Sequence, residues 1–240
     1  MSAPARVPQL EAHTFSELLV RARTLATGGR RRILAIVGAP GSGKSTLAAR
    51  LAQELGQAAV VVPMDGFHLT NDELVRIGRR ERKGAPDTFD VAGYVALLRR
   101  LREDPSHTVY APEFDRAAET SGAGAIRVAP EVPLVVTEGN YLLLESAGWG
   151  DVRALLDEAW FLLPNEQTRV DRLIQRHVDH GKSPQEALDW FHGSDRHNGD
   201  LVVQTRHRAD VIVTGGFAAS DAVSDAVSDP APITHPDSYT

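Results

Sequence analysis

Short, continuous runs of apolar residues recur along the chain, and glycine, proline or charged residues bound most of them. Runs of this length without polar alternation are typical of strands that are buried on both faces of a parallel sheet. We therefore predict five buried strands, at Ile33–Val37, Ala59–Val62, Leu134–Thr137, Trp160–Leu163 and Val211–Val213.

The segments between these runs carry apolar residues at helical spacing. From Phe15 to Leu25 they recur every three or four positions, which indicates an amphipathic helix. The same spacing, or a typical N-cap with proline in the first turn, predicts further helices at Thr46–Glu54, Val91–Arg102, Thr168–Val178 and after Ser183-Pro184. Because strands and helices alternate, we expect a three-layer α/β fold with a parallel sheet flanked by helices.

The length and apolar content fit one large α/β domain, since the chain has 240 residues of which 42% are hydrophobic. We expect an N-terminal helix and basic lead-in over 1–32, the main domain over 33–217 and an acidic tail over 218–240. The tail repeats Ser-Asp-Ala-Val and contains no lysine or arginine, so we predict that it is disordered, and a short weak helix is the alternative.

Composition and charge argue against several classes of protein. The net charge of −6 argues against a global electrostatic attraction to nucleic acid. The absence of cysteine excludes disulfides, thiolate catalysis and cysteine zinc sites. No run approaches the roughly 18 consecutive apolar residues of a membrane span. We expect a cytoplasmic protein that binds neither nucleic acid nor membrane, and a homodimer is compatible with these features.

A phosphate-binding motif follows the strand predicted at Ile33–Val37. Residues 38–45 match the pattern Gly-x-x-x-x-Gly-Lys-Ser, in which glycines let backbone N–H groups face a polyphosphate. The next helix adds its positive end. We expect Lys44 to reach the outer phosphates and the Ser45 hydroxyl to hold Mg²⁺. The predicted nucleotide-binding residues are Gly38, Ala39, Pro40, Gly41, Ser42, Gly43, Lys44, Ser45 and Thr46.

Two acidic residues follow other predicted strands at the same edge of the sheet. Asp65 comes shortly after Ala59–Val62, and Glu138 comes directly after Leu134–Thr137. Ligands of open α/β sheets bind at this edge. A carboxylate there can take the proton of a hydroxyl that attacks phosphorus, which we predict for Asp65. Glu138 is suited to orienting Mg²⁺, and a structural role in a turn is the alternative for both residues.

Five motifs in order carry a resemblance to a known family. They are residues 38–45, Asp65-Gly66-Phe67, residues 82–90, Tyr110 with Phe114-Asp115, and Glu138-Gly139-Asn140. From Ile33 to Val213 the chain resembles the P-loop kinases that include uridine kinase, phosphoribulokinase and bacterial pantothenate kinase. It looks most similar to their shorter nucleoside/nucleotide kinase-like and fructose-transport kinase-like members.

The resemblance implies a P-loop NTPase fold with an arginine-bearing lid and an enzyme that uses ATP and Mg²⁺. It implies that Asp65 is the catalytic base and that four residues surround the acceptor, namely Lys83, Asp87, Asp90 and Tyr110. The acceptor would be a hydroxyl of a small metabolite, such as a nucleoside, a pantothenate-like molecule or a sugar. A P-loop ATPase or nucleotide-responsive regulator without a small-molecule acceptor is the alternative.

The predicted helix at 168–178 resembles the lid of that family and contains three arginines. Arg172 and Arg176 are four residues apart and share a helix face, so we favour them over Arg169 as the side chains that neutralise charge during transfer. A solvated basic face is the alternative interpretation.

Four cations are concentrated in residues 79–83, namely Arg79, Arg80, Arg82 and Lys83. Such a cluster could bind an acceptor that carries a carboxylate or phosphate, with Arg82 or Lys83 making the contact. It could equally be a solvated loop, and the sequence leaves both interpretations open.

Overall fold

The computed structural model describes residues 10–104, 106–115, 118–179, 181 and 183–215, and these residues contain eight strands. They are β1 (Leu10–Ala12), β2 (Arg32–Val37), β3 (Ala59–Pro63), β4 (Val109–Asp115), β5 (Thr120–Val128), β6 (Leu134–Gly139), β7 (Glu158–Leu162) and β8 (Val211–Val213). The five strands predicted from the apolar runs are confirmed, with small shifts at their ends. The acidic tail predicted over 218–240 lies outside the described residues.

Helices connect the strands within the described chain. They are α1 (Phe15–Ala26), α2 (Lys44–Leu55), α3 (Asn71–Arg76), α4 (Val91–Glu103), α5 (Val152–Leu155), α6 (Glu166–Asp179), α7 (Pro184–Trp190) and α8 (Arg196–Val203). The predicted Ser183 cap is confirmed, because its side chain accepts a hydrogen bond from the Glu186 N–H and the Glu186 carboxylate accepts one from the Ser183 N–H. None of the described helices is long and apolar enough to cross a membrane.

Six of the strands form one parallel sheet in the order β1-β8-β7-β2-β6-β3. The strand β2 lies between β7 and β6, with Ile36 opposite both Trp160 and Glu138. Parallel pairing brings the carboxyl ends of β2, β3 and β6 to one edge of the sheet. The residues that follow these three strands are therefore neighbours in space.

Two apolar clusters cover the two faces of the sheet. Ile33 belongs to the cluster beneath α4, whereas the next residue, Leu34, belongs to the cluster beneath α1 and α2. Successive strand residues point to opposite faces, so a continuous apolar run supplies both clusters at once. This arrangement confirms the three-layer architecture.

The N-terminal segment packs on the same sheet as the main domain. Leu10–Ala12 pairs with Val211–Val213 as an edge strand, and Leu18 of α1 is fully buried against the sheet. Residues of the segment described as the N-terminal helix and lead-in therefore pack on the sheet of the main domain.

A separate antiparallel hairpin, formed by β4 and β5, was not predicted from the sequence. Pro112 interrupts the first strand at an irregularity in the register between Ala111 and Glu113. Gly122 and Gly124 lower the strand propensity of the second strand. These residues hide the alternation of buried and exposed positions that would otherwise mark a hairpin.

Candidate active site

A cavity of about 490 Å³ lies at the carboxyl edge of β2, β3 and β6. One side of its wall comes from the residues after β2 and β6, which we call the phosphate side. The opposite side comes from residues 80–89 and from the β4–β5 hairpin, which we call the acceptor side. Asp65 and His68 also line the cavity and come from the segment that follows β3.

The phosphate loop curls in a way that only glycine permits at several positions. Gly41 and Gly43 have φ angles of 80° and 91°, which side-chain-bearing residues rarely adopt. A Cβ on Gly38 would lie 2.6 Å from Ser42 Oγ. The Ser42 hydroxyl is buried, lies outside the cavity lining and has no hydrogen-bond partner among the described residues. These features fit a bound polyphosphate.

Lys44 begins α2 and lines the cavity, although only 8% of the residue is exposed. Its ammonium group donates a hydrogen bond to the carbonyl oxygen of Ala39, 3.2 Å away. Burial lowers the pKa of Lys44 to about 8, and the nearby carboxylates of Glu138 and Asp65 oppose this shift. A buried cation with few charge partners attracts the phosphates of a nucleotide.

Ser45, in the first turn of α2, lies beside Glu138 near the end of β6, because α2 follows β2 and β2 pairs with β6. The Ser45 hydroxyl donates to Glu138 Oε1 over 3.0 Å, and both residues line the cavity. Hydroxyl and carboxylate oxygens are the ligands that Mg²⁺ accepts, and it commonly takes few from the protein when phosphates supply others. The described residues contain no cluster of three or more histidines and acids that could hold a metal alone. Thr46 lies in the first turn of α2, outside the cavity lining.

Asp65 lies in a single 3₁₀ turn, Met64–Phe67, immediately after β3. The next residue must be glycine here, because a Cβ on Gly66 would overlap the carbonyl oxygen of Pro112 in the hairpin. His68 Nε2 lies 4.0 Å from Asp65 Oδ1, and its ring stacks on Phe89 with centroids 4.0 Å apart. The hairpin and the aromatic rings thus fix the turn that carries the carboxylate.

Two buried aromatic residues fasten the acceptor side to the sheet. The Tyr141 hydroxyl donates to the Gly84 carbonyl over 2.6 Å, and Trp149 Nε1 donates to the Pro86 carbonyl over 3.1 Å. Burial raises the pKa of the Tyr141 phenol, so it remains a neutral donor. These two hydrogen bonds therefore fix the backbone carbonyls of Gly84 and Pro86.

Lys83 links three segments of the acceptor side. Its ammonium group donates to Asn71 Oδ1 over 2.8 Å and to the Glu119 carbonyl over 3.1 Å, with Glu119 Oε2 3.5 Å away. The hydrogen bond from Asn71, together with the Lys83 charge, holds the pKa of Glu119 below its usual value. Glu119, in the hairpin turn, was not predicted as a site residue and has no local motif that marks it.

The four clustered cations divide between two carboxylates. Arg79 Nε lies 2.9 Å from Asp87 Oδ2, and Arg82 Nη2 lies 2.5 Å from Asp87 Oδ1. Arg80 and Lys83 instead face Glu119 and line the cavity. The expectation that Arg82 contacts an acceptor is not supported, because Arg82 lies outside the lining and pairs with Asp87.

Three residues predicted around the acceptor also lie outside the cavity lining. The Asp87 carboxylate pairs with two arginines, as described above. Asp90 caps α4 and accepts a hydrogen bond from the Gly93 N–H over 2.8 Å. Tyr110 is exposed on the hairpin. Of the predicted acceptor residues, the structure brings only Asp65 and Lys83 to the cavity.

The three arginines of α6 lie in three different environments. Arg176 lines the cavity. Arg172 Nη1 lies 3.8 Å from the position that a Cβ on Gly43 would occupy, beside the phosphate loop. Arg169 is 7% exposed and donates to the carbonyl of Pro40 over 2.8 Å while Glu166 holds its guanidinium. Arg172 and Arg176 were favoured over Arg169 from the sequence, yet Arg169 contacts the phosphate loop directly.

Three further residues that were not predicted as site residues line the cavity, namely His177, Asp195 and Asn198. His177 Nε2 lies 2.6 Å from Asp195 Oδ2, with both side chains mostly buried. Asp195 precedes α8 and is distant from α6 in sequence, so no spacing rule links the two. They meet only because α6 and α8 lie at the same end of the sheet.

Comparison with known proteins finds close relatives of this chain. A Schizosaccharomyces pombe protein that is provisionally named a uridine kinase is 32% identical over 214 residues, which cover 85% of this chain and 91% of the relative. The crystal structure of a Silicibacter protein, provisionally named a fructose transport system kinase, matches with a TM-score of 0.76 and 38% identity. That match covers 84% of this chain and 99% of the Silicibacter chain.

A more distant structural match shows the fold alone. Phosphoribulokinase from Rhodobacter spheroides superposes with a TM-score of 0.52 and 15% identity, covering 77% of this chain and 70% of that enzyme. No protein-family model matches the chain.

Proposed function

We infer the reaction from family membership, because the chain belongs to the P-loop kinases that include uridine kinase and phosphoribulokinase. It is an ATP-dependent phosphotransferase whose acceptor is a hydroxyl group. What we propose in addition is the role of each cavity residue, the use of Mg²⁺ and the class of acceptor.

The observation that carries the proposal is the convergence of four groups on one cavity. Lys44, the Ser45–Glu138 pair, Asp65 and Arg176 all line it, and they come from different elements of the fold. We propose that Lys44 and Arg176 bind the phosphates of ATP and neutralise charge as the phosphoryl group moves. Ser45 and Glu138 would hold Mg²⁺, which when bound neutralises charge on the phosphates.

Asp65 is the group that we assign to proton transfer. The acceptor oxygen forms a bond to the γ-phosphorus, the bond from that phosphorus to the β–γ bridging oxygen breaks, and ADP departs. The hydroxyl proton passes to the Asp65 carboxylate. Asp65 lines the same cavity as residues of both the phosphate side and the acceptor side, which supports this role.

The acceptor side also distinguishes a kinase from a simple ATPase. A hydrolase needs room for one water, whereas this cavity has a second wall of aromatic and charged side chains, including Phe89, Phe114 and Lys83. We propose a small metabolite, rather than a protein segment, as its occupant.

Substitution Asp65→Asn tests this proposal. The amide keeps the shape but cannot accept the proton, so we expect turnover to fall by about 10² to 10⁴-fold while ATP affinity stays within twofold. Asp90→Asn is the matched control, because Asp90 caps a helix away from the cavity. ADP release with an acceptor panel and ATP titration calorimetry measure the two quantities. A loss of ATP affinity with unchanged turnover would assign Asp65 to nucleotide binding and contradict the proposal.

A further inference from the structure

The charges on the acceptor side differ in how far the protein itself satisfies them. Three charged residues line this side, namely Arg80, Lys83 and Glu119. Their formal sum is one positive charge, and the rings of Phe89 and Phe114 provide apolar surface beside them.

Lys83 has no capacity left for a ligand. An ammonium group has three hydrogens. Three oxygens lie within 3.5 Å of the Lys83 nitrogen and match that number, namely Asn71 Oδ1, the Glu119 carbonyl oxygen and Glu119 Oε2. Lys83 therefore ties the hairpin turn and α3 to the acceptor loop, and its charge is offset by Glu119.

Arg80 retains most of its hydrogen-bonding capacity. A guanidinium group has five N–H donors. Within the described residues, Arg80 makes one side-chain contact, from Nη2 to Glu119 Oε2 at 3.4 Å, and its side chain is 43% exposed. It lines the cavity with a planar donor group of the kind that binds carboxylates in a bidentate manner.

We propose that the acceptor is a hydroxy acid, whose carboxylate is bound by Arg80 and whose hydroxyl is phosphorylated. This inference rests on the proposed function, since it names the acceptor of the same site. The excess of one positive charge on the acceptor side matches one carboxylate. A phosphate dianion would bring one negative charge more than the acceptor side offsets. Over the whole lining, the acids Asp65, Glu119, Glu138 and Asp195 are already balanced by the cations Lys44, Arg80, Lys83 and Arg176.

The test compares matched acceptors on the full-length protein. Glycerate, gluconate and pantothenate are each assayed for ADP release beside their neutral alcohols, glycerol, sorbitol and pantothenol. Uridine, fructose and fructose 6-phosphate complete the panel. We expect at least one acid to be used with a kcat/KM well above that of its alcohol. A neutral acceptor or the phosphate ester used better than every acid would overturn the proposal.

Variants of two neighbouring arginines test whether Arg80 is the residue that binds the carboxylate. Arg80→Gln should raise the KM for the acid by about ten- to a hundredfold, which is the factor expected when one charge-assisted hydrogen bond is lost. The ATP KM and kcat should stay nearly unchanged. Arg79→Gln is the control, because Arg79 is equally exposed, at 45%, but faces Asp87 outside the cavity. Arg80→Lys should recover part of the affinity. Equal acid KM values for Arg80→Gln and Arg79→Gln would overturn the assignment.

A binding measurement separates this inference from the proposed function. If ATP binds but no acceptor stimulates ADP release, the result counts against the proposed kinase activity. The change in the protein's melting temperature on adding each acid then tests the carboxylate site without relying on turnover. A rise in the parent that Arg80→Gln abolishes supports the carboxylate site, and the absence of any rise contradicts it.

Discussion

The phosphate side and the acceptor side of the cavity are built by different means. Two short stretches supply the phosphate side in equal numbers, residues 38–45 and residues 138–140, and positive-φ glycines hold the first of them. The acceptor side joins residues 80–89 to a hairpin about 30 residues further along the chain, and side-chain contacts of Lys83 and Glu119 hold the two together.

We connect this difference in construction with a division of roles, in which the phosphate side serves the chemical step and the acceptor side selects the acceptor. The buried phosphate loop offers little freedom, because a Cβ at Gly38 or Gly41 would meet atoms of Ser42 or Arg169. Ion pairs between exposed residues contribute only about 0–1 kcal/mol each, so those that Arg79, Arg80 and Arg82 make on the acceptor side can change at small cost in stability. We expect substitutions on the phosphate side to alter turnover or ATP binding, and those on the acceptor side to alter the choice of acceptor.

Lys44→Ala should give the largest effect. Loss of the cation that faces the phosphates should lower turnover by about 10³-fold or more. The fold should be retained, because burial already disfavours the charged form of Lys44 and the substitution removes one side-chain hydrogen bond, to the Ala39 carbonyl. ADP release and a thermal melt measured on the same preparation check both statements. Activity near that of the parent protein would contradict the assignment of the chemical step to the phosphate side.

Arg169→Met should have an intermediate effect on ATP alone. Its guanidinium donates a hydrogen bond to the Pro40 carbonyl, and losing that bond should weaken ATP binding by about 1.4 kcal/mol. We therefore expect ATP KM to rise about tenfold and acceptor KM to stay within twofold. Arg99→Met is the control, since Arg99 makes an exposed pair with Asp151. Steady-state kinetics with each substrate varied distinguishes the two KM values. Equal ATP KM values in both variants would show that Arg169 does not position the phosphate loop.

Gly66→Ala should have the smallest effect and should act on the acceptor. The added methyl group must push Pro112 away, which moves the hairpin that closes the acceptor side. We expect acceptor KM to rise several-fold, with stability lowered by about 1–3 kcal/mol. Gly122→Ala lies in the same hairpin and meets Glu113 O only at an ordinary 3.9 Å. A rise in acceptor KM in both variants, or in neither, would contradict the role of the close approach at Gly66.

The phosphate side could be predicted because its determinants are local. Residues 38–45 form one motif, and the apolar runs that precede Gly38 and Glu138 identify their strands. The contact between Ser45 and Glu138 follows once both strands are known to be parallel neighbours. The buried contact of Arg169 with Pro40 could not be predicted, because helical spacing shows which arginines share a face but not which face meets the loop.

The acceptor side depends on contacts that no spacing rule shows. The hairpin was missed because Pro112 breaks its first strand, and with it the position of Glu119 was missed. Four adjacent cations looked alike in sequence, yet Asp87 takes two of them and Glu119 faces the other two. Asp90 and Tyr110 match the family motifs, whereas the structure places them outside the cavity lining.

The most direct test of the central claim is to follow the γ-phosphoryl group to its destination. ADP, phosphorylated acceptor and inorganic phosphate are quantified by mass spectrometry and ³¹P NMR in one reaction across the acceptor panel, with Lys44→Ala as the blank. We expect phosphorylated acceptor to accumulate in step with ADP while inorganic phosphate stays at the level of the blank. Inorganic phosphate equal to ADP with every acceptor would instead show hydrolysis and contradict the assignment of a small-molecule kinase.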